Sequence, residues 1–396
     1  MIEFFADSTI LEMRIVEIKE RAINVSRYAD ASLGGQLSTS LVAIVTDARV
    51  DGEVLTGYGF GSFGRFAQSG LIRERFAAKL LAAPQHALLG DDRQFIDPIK
   101  AWGVMMLGEK PGGHGERCVA VGTLDMALWD LAAKFKKQPL HRLVAKTFGR
   151  QPSEHTQAYA GGGYYFPTDD IPRLTEEIQH FHNLGLNTVK IKVGSASTTT
   201  DTKRIEAALD VVGSTNRLAI DAMNNYDHSQ AIEAAHAFVP YGLRWFEDIC
   251  DPLDYETHKT VAQQYAPPIS AGEAIFSLSD ARNLFRYAGL RPQHDTLTFD
   301  PVHCYGIPEF VRVIEAAERS GWSRQDFFPH GGHLFGLHVA CGLGLGGCEC
   351  NPHNFQPLGG FGDGSVIRNG TVSPPDAPGI GFETKSNFMD LIRQSF

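Results

Sequence analysis

The sequence predicts an α/β protein whose larger part is a (β/α)8-type barrel, preceded by an α+β unit. From about residue 151, short apolar runs alternate with stretches of helical spacing, the order of repeated βα units. Acidic residues or a histidine end several consecutive apolar runs, at intervals of 26, 26, 27 and 30 residues. These intervals match one βα unit of a barrel of about 250 residues, so we expect the run ends to meet at one mouth.

Residues 1–150 show the mixed pattern of the α+β unit. Alternating apolar residues predict strands at Arg14–Ile18 and Leu41–Thr46, and helical spacing predicts helices at Leu71–Leu81 and Val119–Phe135. Loops rich in glycine or aromatic residues follow or separate these elements, at 27–35, 57–70 and 107–115. Such loops usually cover a site, although a turn packed on its own side chains is the alternative.

The remaining chain supplies the barrel elements. The predicted strands are Thr156–Ala160, Thr188–Gly194, Leu218–Asp221, Leu243–Glu247, Pro268–Glu273, Thr296–Asp300, Phe327–His330 and Gly347–Cys350. The predicted helices between them are Asp170–His182, Asp201–Val212, His228–Phe238, Tyr255–Tyr265, Ser279–Tyr287 and Ile307–Ser320.

Composition excludes several classes of protein. The 396 residues are 43% hydrophobic and 21% charged, which is typical of a globular chain with a large core and two domains. A net charge of −10 argues against a nucleic-acid partner, yet allows a small anionic substrate in a local cationic pocket. No apolar run reaches the roughly 18 residues of a membrane span, so we expect no membrane partner.

The leader and the cysteines indicate a cytoplasmic protein. Met1–Glu12 lacks the basic start and apolar core of a signal peptide, so we interpret it as a flexible, dispensable extension. The six cysteines are too scattered for a disulfide framework, which favours a reducing compartment. Cys348-Glu349-Cys350 has no second cysteine pair, and we expect no zinc site there.

The strand around Lys190 and Lys192 organises the predicted site. Its apolar residues alternate with the two lysines, which therefore share one face. An edge strand with a wet face is the ordinary explanation, but the regular step of Asp221, Glu247 and Glu273 on the following strands argues against it. Three carboxylates at one mouth form an oxygen-only site for a hard divalent cation, with Mg²⁺ the first choice.

Proton-transfer groups flank these carboxylates. Repulsion between the two ammonium groups should lower the pKa of one lysine and make it a base. On the other flank, Asp300 would fix the tautomer of His330, which we favour over His333 and His338 because it keeps the strand step. The arrangement is typical of proton abstraction next to a carboxylate, with the cation stabilising the developing charge.

At this point the chain resembles the enolase superfamily, mandelate racemase branch, over nearly its whole length. The matching residues are Val121–Asp130, Lys190-Ile191-Lys192, the three carboxylates, Asp300 and His330. The resemblance implies a modified TIM barrel, 151–359, with a capping domain built from residues 1–150 and a C-terminal tail, 360–396. It also implies Mg²⁺ as cofactor, Lys192 as base, Lys190 as its electrostatic partner and a homo-oligomer.

Within that branch the chain looks most like the D-tartrate dehydratases. This resemblance implies that Lys192 removes the α-proton and His330 protonates the departing hydroxyl, giving oxaloacetate. It implies contacts to the far carboxylate from Lys110 and Tyr164, and to the metal-side oxygens from Glu349, although a solvated lysine and a packing tyrosine are equal alternatives. Other acid-sugar dehydratases, a racemase or epimerase with the same two groups, and a non-catalytic scaffold remain open.

Two departures from the branch pattern concern the surroundings of the ligands. Met223 stands in Asp221-Ala222-Met223-Asn224, where the branch usually has Asp-x-Asn. Glu247-Asp248-Ile249 lacks the usual proline. Neither removes a ligand, but both alter the residues that support the metal site.

Overall fold

The computed structural model describes residues 12–396, so the predicted extension lies, except for Glu12, outside the described residues. An antiparallel sheet of three strands opens the described chain: β1 (Ile15–Ser26), β2 (Gln36–Val50) and β3 (Glu53–Phe60). β1 and β2 are longer than predicted. The pairing between them runs from near Asp47 of β2 to the pair formed by Ser26 of β1 and Gln36 of β2. The loop 27–35 therefore projects from the end of a long ribbon.

Helices pack on this sheet and complete the N-terminal cap, a name used here for residues 12–150. They are a π-type segment (Leu71–Ala77) continuing into α1 (Ala78–Ala82), then α2 (Pro98–Met106), α3 (Glu116–Phe135) and α4 (Leu140–Thr147). The central helix α3 is buried from Cys118 to Ala133, on every side. It contacts both the sheet and the barrel, which explains why its apolar residues are not confined to one stripe.

Seven short parallel strands form the barrel sheet, in the order β10-β4-β5-β6-β7-β8-β9. They are β4 (Thr156–Gly161), β5 (Val189–Lys192), β6 (Leu218–Asp221), β7 (Phe246–Glu247), β8 (Ile269–Ala271), β9 (Thr296–Leu297) and β10 (Gly347–Cys350). A further strand, β11 (Thr371–Val372), pairs antiparallel with β4. The covering helices are α5 (Asp170–Asn183), α6 (Thr198–Val212), α7 (His228–Phe238), α8 (Tyr255–Gln264), α9 (Leu278–Tyr287), α10 (Ile307–Arg319) and α11 (Leu334–Leu343). The predicted α/β class is confirmed.

The segment Phe327–His330 corrects the sequence prediction, because it is not a regular strand. It makes one parallel bridge, Leu297 to Phe327, and the Phe328 N–H donates to the Leu297 carbonyl over 2.8 Å. On its other side the Glu349 N–H donates to the Pro329 carbonyl over 3.1 Å. Pro329 has no N–H to extend a ladder, so the segment joins β9 to β10 through isolated bonds only.

The C-terminal segment returns to the cap. The Ile380 N–H donates to Asp130 Oδ1 of α3 over 2.8 Å. Phe388, on the last helix α12 (Ser386–Ser395), stacks on Phe382 and meets the edge of Tyr58 in β3. Within the described residues, no helix is long and apolar enough to cross a membrane.

Candidate active site

Lys190 and Lys192 point into the barrel from β5, as their alternation with apolar residues predicts. Lys190 is fully buried and Lys192 is 6% exposed, while Val189 and Ile191 pack outward in the core. Lys190 forms ion pairs with Glu247 and with Glu349, whose Oε1 lies 3.3 Å from Nζ. Lys192 forms an ion pair with Asp221. The wet-edge alternative is therefore wrong.

Asp221, Glu247 and Glu273 converge at the mouth. One oxygen from each lies within 4.8 Å of the others. Asp221 and Glu247 end β6 and β7, whereas Glu273 lies two residues beyond β8. Three carboxylate oxygens at this spacing, of which Glu273 also faces a cavity, fit a Mg²⁺ ion that keeps water or substrate ligands.

The charges around the lysines differ from the sequence expectation. Burial disfavours the ammonium of Lys192, but Asp221, Tyr164 and Glu273 outweigh burial and hold its pKa well above the usual value. The predicted lowering of one lysine pKa is not observed, because the repulsion between the lysines is smaller than the attraction of the surrounding carboxylates. Burial likewise opposes ionisation of Asp221, yet Lys192 and Lys190 lower its pKa to about 2.

Asp300 and His330 form the predicted pair. His330 Nδ1 lies 2.9 Å from Asp300 Oδ2, and His330 Nε2 lies 3.4 Å from Glu273 Oε2. Burial opposes a charged imidazole, but Glu273, Asp300 and Glu349 raise the pKa of His330 to about 10. His330 therefore carries a proton near neutral pH and aims Nε2 at the mouth.

The two competing histidines do not line the cavity described below. His333 caps α11 by accepting the Gly336 N–H at Nδ1. His338 lies inside α11 and links its Nε2 to the Ile380 carbonyl over 2.9 Å.

A cavity of about 200 Å³ lies at the barrel mouth, between the lysine side and the His330 side of the site. Lys192, Glu273 and His330 line it from the barrel. The cap closes it with Arg27, from the loop 27–35, and with residues of the loop after β3, including Arg65. Lys192 and His330 thus face one space from either side of the three carboxylate-bearing strands.

The three predicted substrate contacts have different positions. Tyr164 lines the cavity, with its ring centroid 5.2 Å from Lys192 Nζ. Glu349 lies deeper, where its Oε2 accepts the Gly331 N–H over 3.0 Å. Lys110 is exposed on its loop and does not line the cavity. The loop 107–115 instead packs against Tyr305 through His114.

Several site residues escaped the sequence reasoning. Arg27 and Arg65 lie in loops that the sequence marks as covers, but nothing in their local pattern distinguishes them from surface arginines. Ser62 donates to Asp300 from the same cap loop as Arg65. The contact of Ser62 with Asp300 joins residues 238 positions apart, so only the packing of the cap on the barrel reveals it.

The two pattern departures, Met223 and Ile249, lie at or next to backbone bends that follow the metal-site strands. Met223, Asn224 and Asp248 have φ of 50°, 58° and 44°, in the left-handed region. The Met223 N–H donates to Asp221 Oδ1 over 2.8 Å, and the Asn224 N–H donates to the Asp248 carbonyl over 2.7 Å. The backbone thus holds Asp221 in place, whichever side chain occupies position 223.

A family model now identifies the chain. The model described as enolase C-terminal domain-like matches residues 173–387, more than half of the sequence. The chain belongs to the enolase superfamily. Within it the chain lies in the mandelate racemase and muconate lactonizing branch, as its Lys-x-Lys strand and carboxylate series predict.

Known members of the superfamily resemble the chain over most of its length. It is 25% identical over 307 residues to arabinonate dehydratase of Saccharolobus solfataricus, covering 76% of this chain and 79% of that protein. It is 26% identical over 349 residues to L-talarate/galactarate dehydratase of Salmonella typhimurium, covering 88% and 82%.

A solved structure supports the fold. The crystal structure of L-talarate dehydratase from Polaromonas sp. JS666, complexed with Mg and L-glucarate, superposes with a TM-score of 0.72 at 24% identity. The match covers 93% of this chain and 94% of the other.

Proposed function

We propose that this enolase superfamily member is a Mg²⁺-dependent dehydratase of an acid sugar. The observation that carries the proposal is the shared cavity: Lys192 and His330 reach it from either side of three convergent carboxylates. One group can take a proton next to a substrate carboxylate while the other gives a proton to the hydroxyl on the next carbon.

Each residue has a defined part in this proposal. Lys192 Nζ removes the α-proton, and the fully buried Lys190 adds a positive charge that disfavours the protonated form of Lys192. His330 delivers its Nε2 proton to the departing β-hydroxyl, and Asp300 holds the opposite ring nitrogen. Mg²⁺ held by Asp221, Glu247 and Glu273 would neutralise the charge that keeps Lys192 protonated and stabilise negative charge on the substrate carboxylate.

The relatives support a hydroxy-acid substrate, since their names include arabinonate, talarate and galactarate dehydratases. The cap supports an acid that is anionic at both ends. Arg27 and Arg65 line the cavity, and neither forms an ion pair with any residue of the described range 12–396. Two uncompensated guanidinium groups favour a second carboxylate at the far end of the substrate.

The finer proposal is D-tartrate as substrate and oxaloacetate as product. A cavity of about 200 Å³ is smaller than the roughly 300 Å³ at which drug-sized pockets begin, which favours a short diacid. All six cysteines are unpaired and buried, which supports a cytoplasmic location.

The test is a substrate panel with Mg²⁺: the three tartrate stereoisomers, galactarate, talarate and arabinonate, with 2-keto acid captured by semicarbazide. We expect keto acid from D-tartrate, loss of it in Lys192→Ala, and full rate in the control Lys110→Ala, which alters an exposed lysine. Keto acid only from longer acids would replace the finer proposal.

Two other outcomes overturn the dehydratase. Absence of keto acid from every member of the panel would do so. Inversion at the α-carbon in D2O without keto acid would select a racemase or epimerase that uses the same two groups.

A further inference from the structure

We propose that Ser62 of the cap is a positioning residue for the acid/base pair Asp300–His330, acting through a directed chain of hydrogen bonds that begins at His333. The catalytic consequence rests on the proposed function, whereas the hydrogen-bond chain itself does not. Ser62 is fully buried and comes from the cap loop that follows β3, while the other three residues belong to the barrel region.

The capping role of His333 sets the direction of the chain. Its Nδ1 lies 3.2 Å from the Gly336 nitrogen, whose N–H can only donate, so Nδ1 is the acceptor. Burial lowers the pKa of His333 to about 4, which keeps the ring neutral. The single ring proton therefore sits on Nε2, which lies 3.2 Å from Ser62 Oγ.

Ser62 continues the hydrogen-bond chain to the acid/base pair in the same donor-to-acceptor order. Ser62 Oγ accepts from His333 and has one proton to give, and Asp300 Oδ2 lies 2.5 Å away. The same Oδ2 accepts from His330 Nδ1 over 2.9 Å, while Asp300 Oδ1 accepts the Val302 N–H over 2.7 Å. Asp300 therefore accepts hydrogen bonds at both of its carboxylate oxygens, and the cap provides the one from Ser62.

The backbone around this chain is built to admit the hydroxyl. Ser62 has φ of 52°, a left-handed conformation that a glycine would adopt with less strain. Gly331 leaves room for the contact, since a Cβ there would lie 2.6 Å from His333 Nε2 and 2.9 Å from Ser62 Oγ. The serine therefore adopts a strained backbone conformation at the position where its hydroxyl contacts Asp300 and His333.

Activity measurements test the catalytic part with Ser62→Ala and Ser62→Gly. Both should lower kcat by about 10- to 100-fold with KM nearly unchanged, a loss of the size seen when hydrogen-bond partners of metal ligands are removed. Exchange of the α-proton in D2O, the Lys192 step, should continue. The control Ser40→Ala removes another buried cap serine that donates to a carboxylate, Glu20, and should keep full kcat.

Two kinetic results would overturn the positioning role. One is full kcat in Ser62→Gly, which relieves the backbone strain but lacks the hydroxyl. The other is a parallel fall of α-proton exchange and keto-acid formation, which a general disturbance of the site would cause.

A spectroscopic experiment tests the hydrogen-bond chain without any substrate. In Mg²⁺-loaded protein with ¹⁵N-labelled histidine, His333→Asn and His330→Asn identify the two buried imidazole N–H signals. Ser62→Ala should shift both of them, and a shift of the His333 signal alone would refute the chain. If the wild-type protein converts no acid in the panel, the proposed function fails, and this experiment still decides the hydrogen-bond chain.

Discussion

Arg65 and Arg27 show how much of substrate choice depends on single residues of the cap. The Arg65 guanidinium lies 4.7 Å from the centre of the Phe276 ring, and that of Arg27 lies 5.8 Å from the centre of the Tyr164 ring. The aromatic rings orient the guanidinium groups without neutralising them. Both charges therefore remain available to a ligand.

We predict that Arg65→Gln weakens binding of diacids selectively. Loss of one charge-assisted contact worth about 1.5–3 kcal/mol should raise KM for a converted diacid roughly 10- to 100-fold. KM for arabinonate, which has one carboxylate, should change little. The control Arg73→Gln alters an exposed cap arginine paired with Glu20. An equal rise for both substrates would contradict recognition of a second carboxylate.

Lys190 differs from Lys192 in what its removal leaves behind. Lys190→Ala would strand the buried carboxylates of Glu247 and Glu349, and we expect a loss of about 3–5 kcal/mol in the free energy of unfolding. Lys192→Ala should lower the free energy of unfolding by less. Asp221 would still be paired with Lys190, whose Nζ lies 3.4 Å from Asp221 Oδ2. Urea denaturation of both variants in the absence of added Mg²⁺ measures the difference. Equal losses would show that the lysines share one electrostatic role.

Helix α3 connects the cap to the loop that carries Asp300. Gly122 on this helix lies against that loop, and a Cβ at 122 would approach the Val302 carbonyl oxygen to 1.9 Å. Val302 also donates its N–H to Asp300. The contact therefore transmits the position of the cap helix to the acid/base pair.

Two glycine substitutions separate this contact from helix propensity. Gly122→Ala should lower the free energy of unfolding by about 1–3 kcal/mol through overpacking, and should reduce kcat because the Asp300 loop moves. Gly103→Ala in α2, where a Cβ meets nothing within 4 Å, should instead stabilise by about 0.5–1 kcal/mol. Thermal unfolding with keto-acid assays checks both, and a neutral Gly122→Ala would contradict the close approach.

The secondary-structure elements also show how much of the fold and the site can be predicted from the sequence alone. Regular spacing was enough to place Lys190, Lys192 and the carboxylates, because strand ends of a barrel meet wherever the βα step is regular. The pattern of Phe327–His330 wrongly predicts a strand, since its aromatic residues have strand propensity while Pro329 cannot extend a ladder. Lys110 was placed by resemblance and lies on an exposed loop away from the cavity. Loop conformation depends on packing that no local pattern encodes.

At the scale of the whole molecule, His338 joins three parts of the chain. Its Nδ1 accepts the backbone N–H of His141 at the start of α4. Its Nε2 donates to the Ile380 carbonyl in the C-terminal segment. Burial, with a smaller effect of His141, lowers the pKa of His338 to about 3. A second ring proton would face the His141 N–H, so the folded protein requires the neutral ring.

The sign of the pH effect follows from this lowered pKa. Below pH 6.5 the unfolded chain binds a proton at position 338 that the folded protein does not, so stability is lost as the pH falls from 6.5 towards 3. His258 and His333, with pKa values lowered by burial to about 4, act in the same direction. His338→Gln should make the free energy of unfolding less dependent on pH between 6.5 and 4.5. An unchanged slope would contradict a neutral, buried ring.

The division into cap, barrel and tail at residues 150 and 360 stays a prediction, as does the homo-oligomer. The described contacts of the C-terminal segment with α3 and β3 are compatible with the tail belonging to the cap. Composition and motif spacing cannot set such boundaries, because the cap and the barrel share one continuous buried interface around α3.

In the proposed reaction, Lys192 and His330 perform separate steps on one substrate. The most direct measurement is ¹H NMR in D2O with Mg²⁺ and the acid that the wild-type protein converts, following the α-proton and the keto acid together. His330→Asn should exchange the α-proton without forming keto acid, and Lys192→Ala should do neither. Keto acid at the wild-type rate from His330→Asn, or continued exchange in Lys192→Ala, would contradict the assignment.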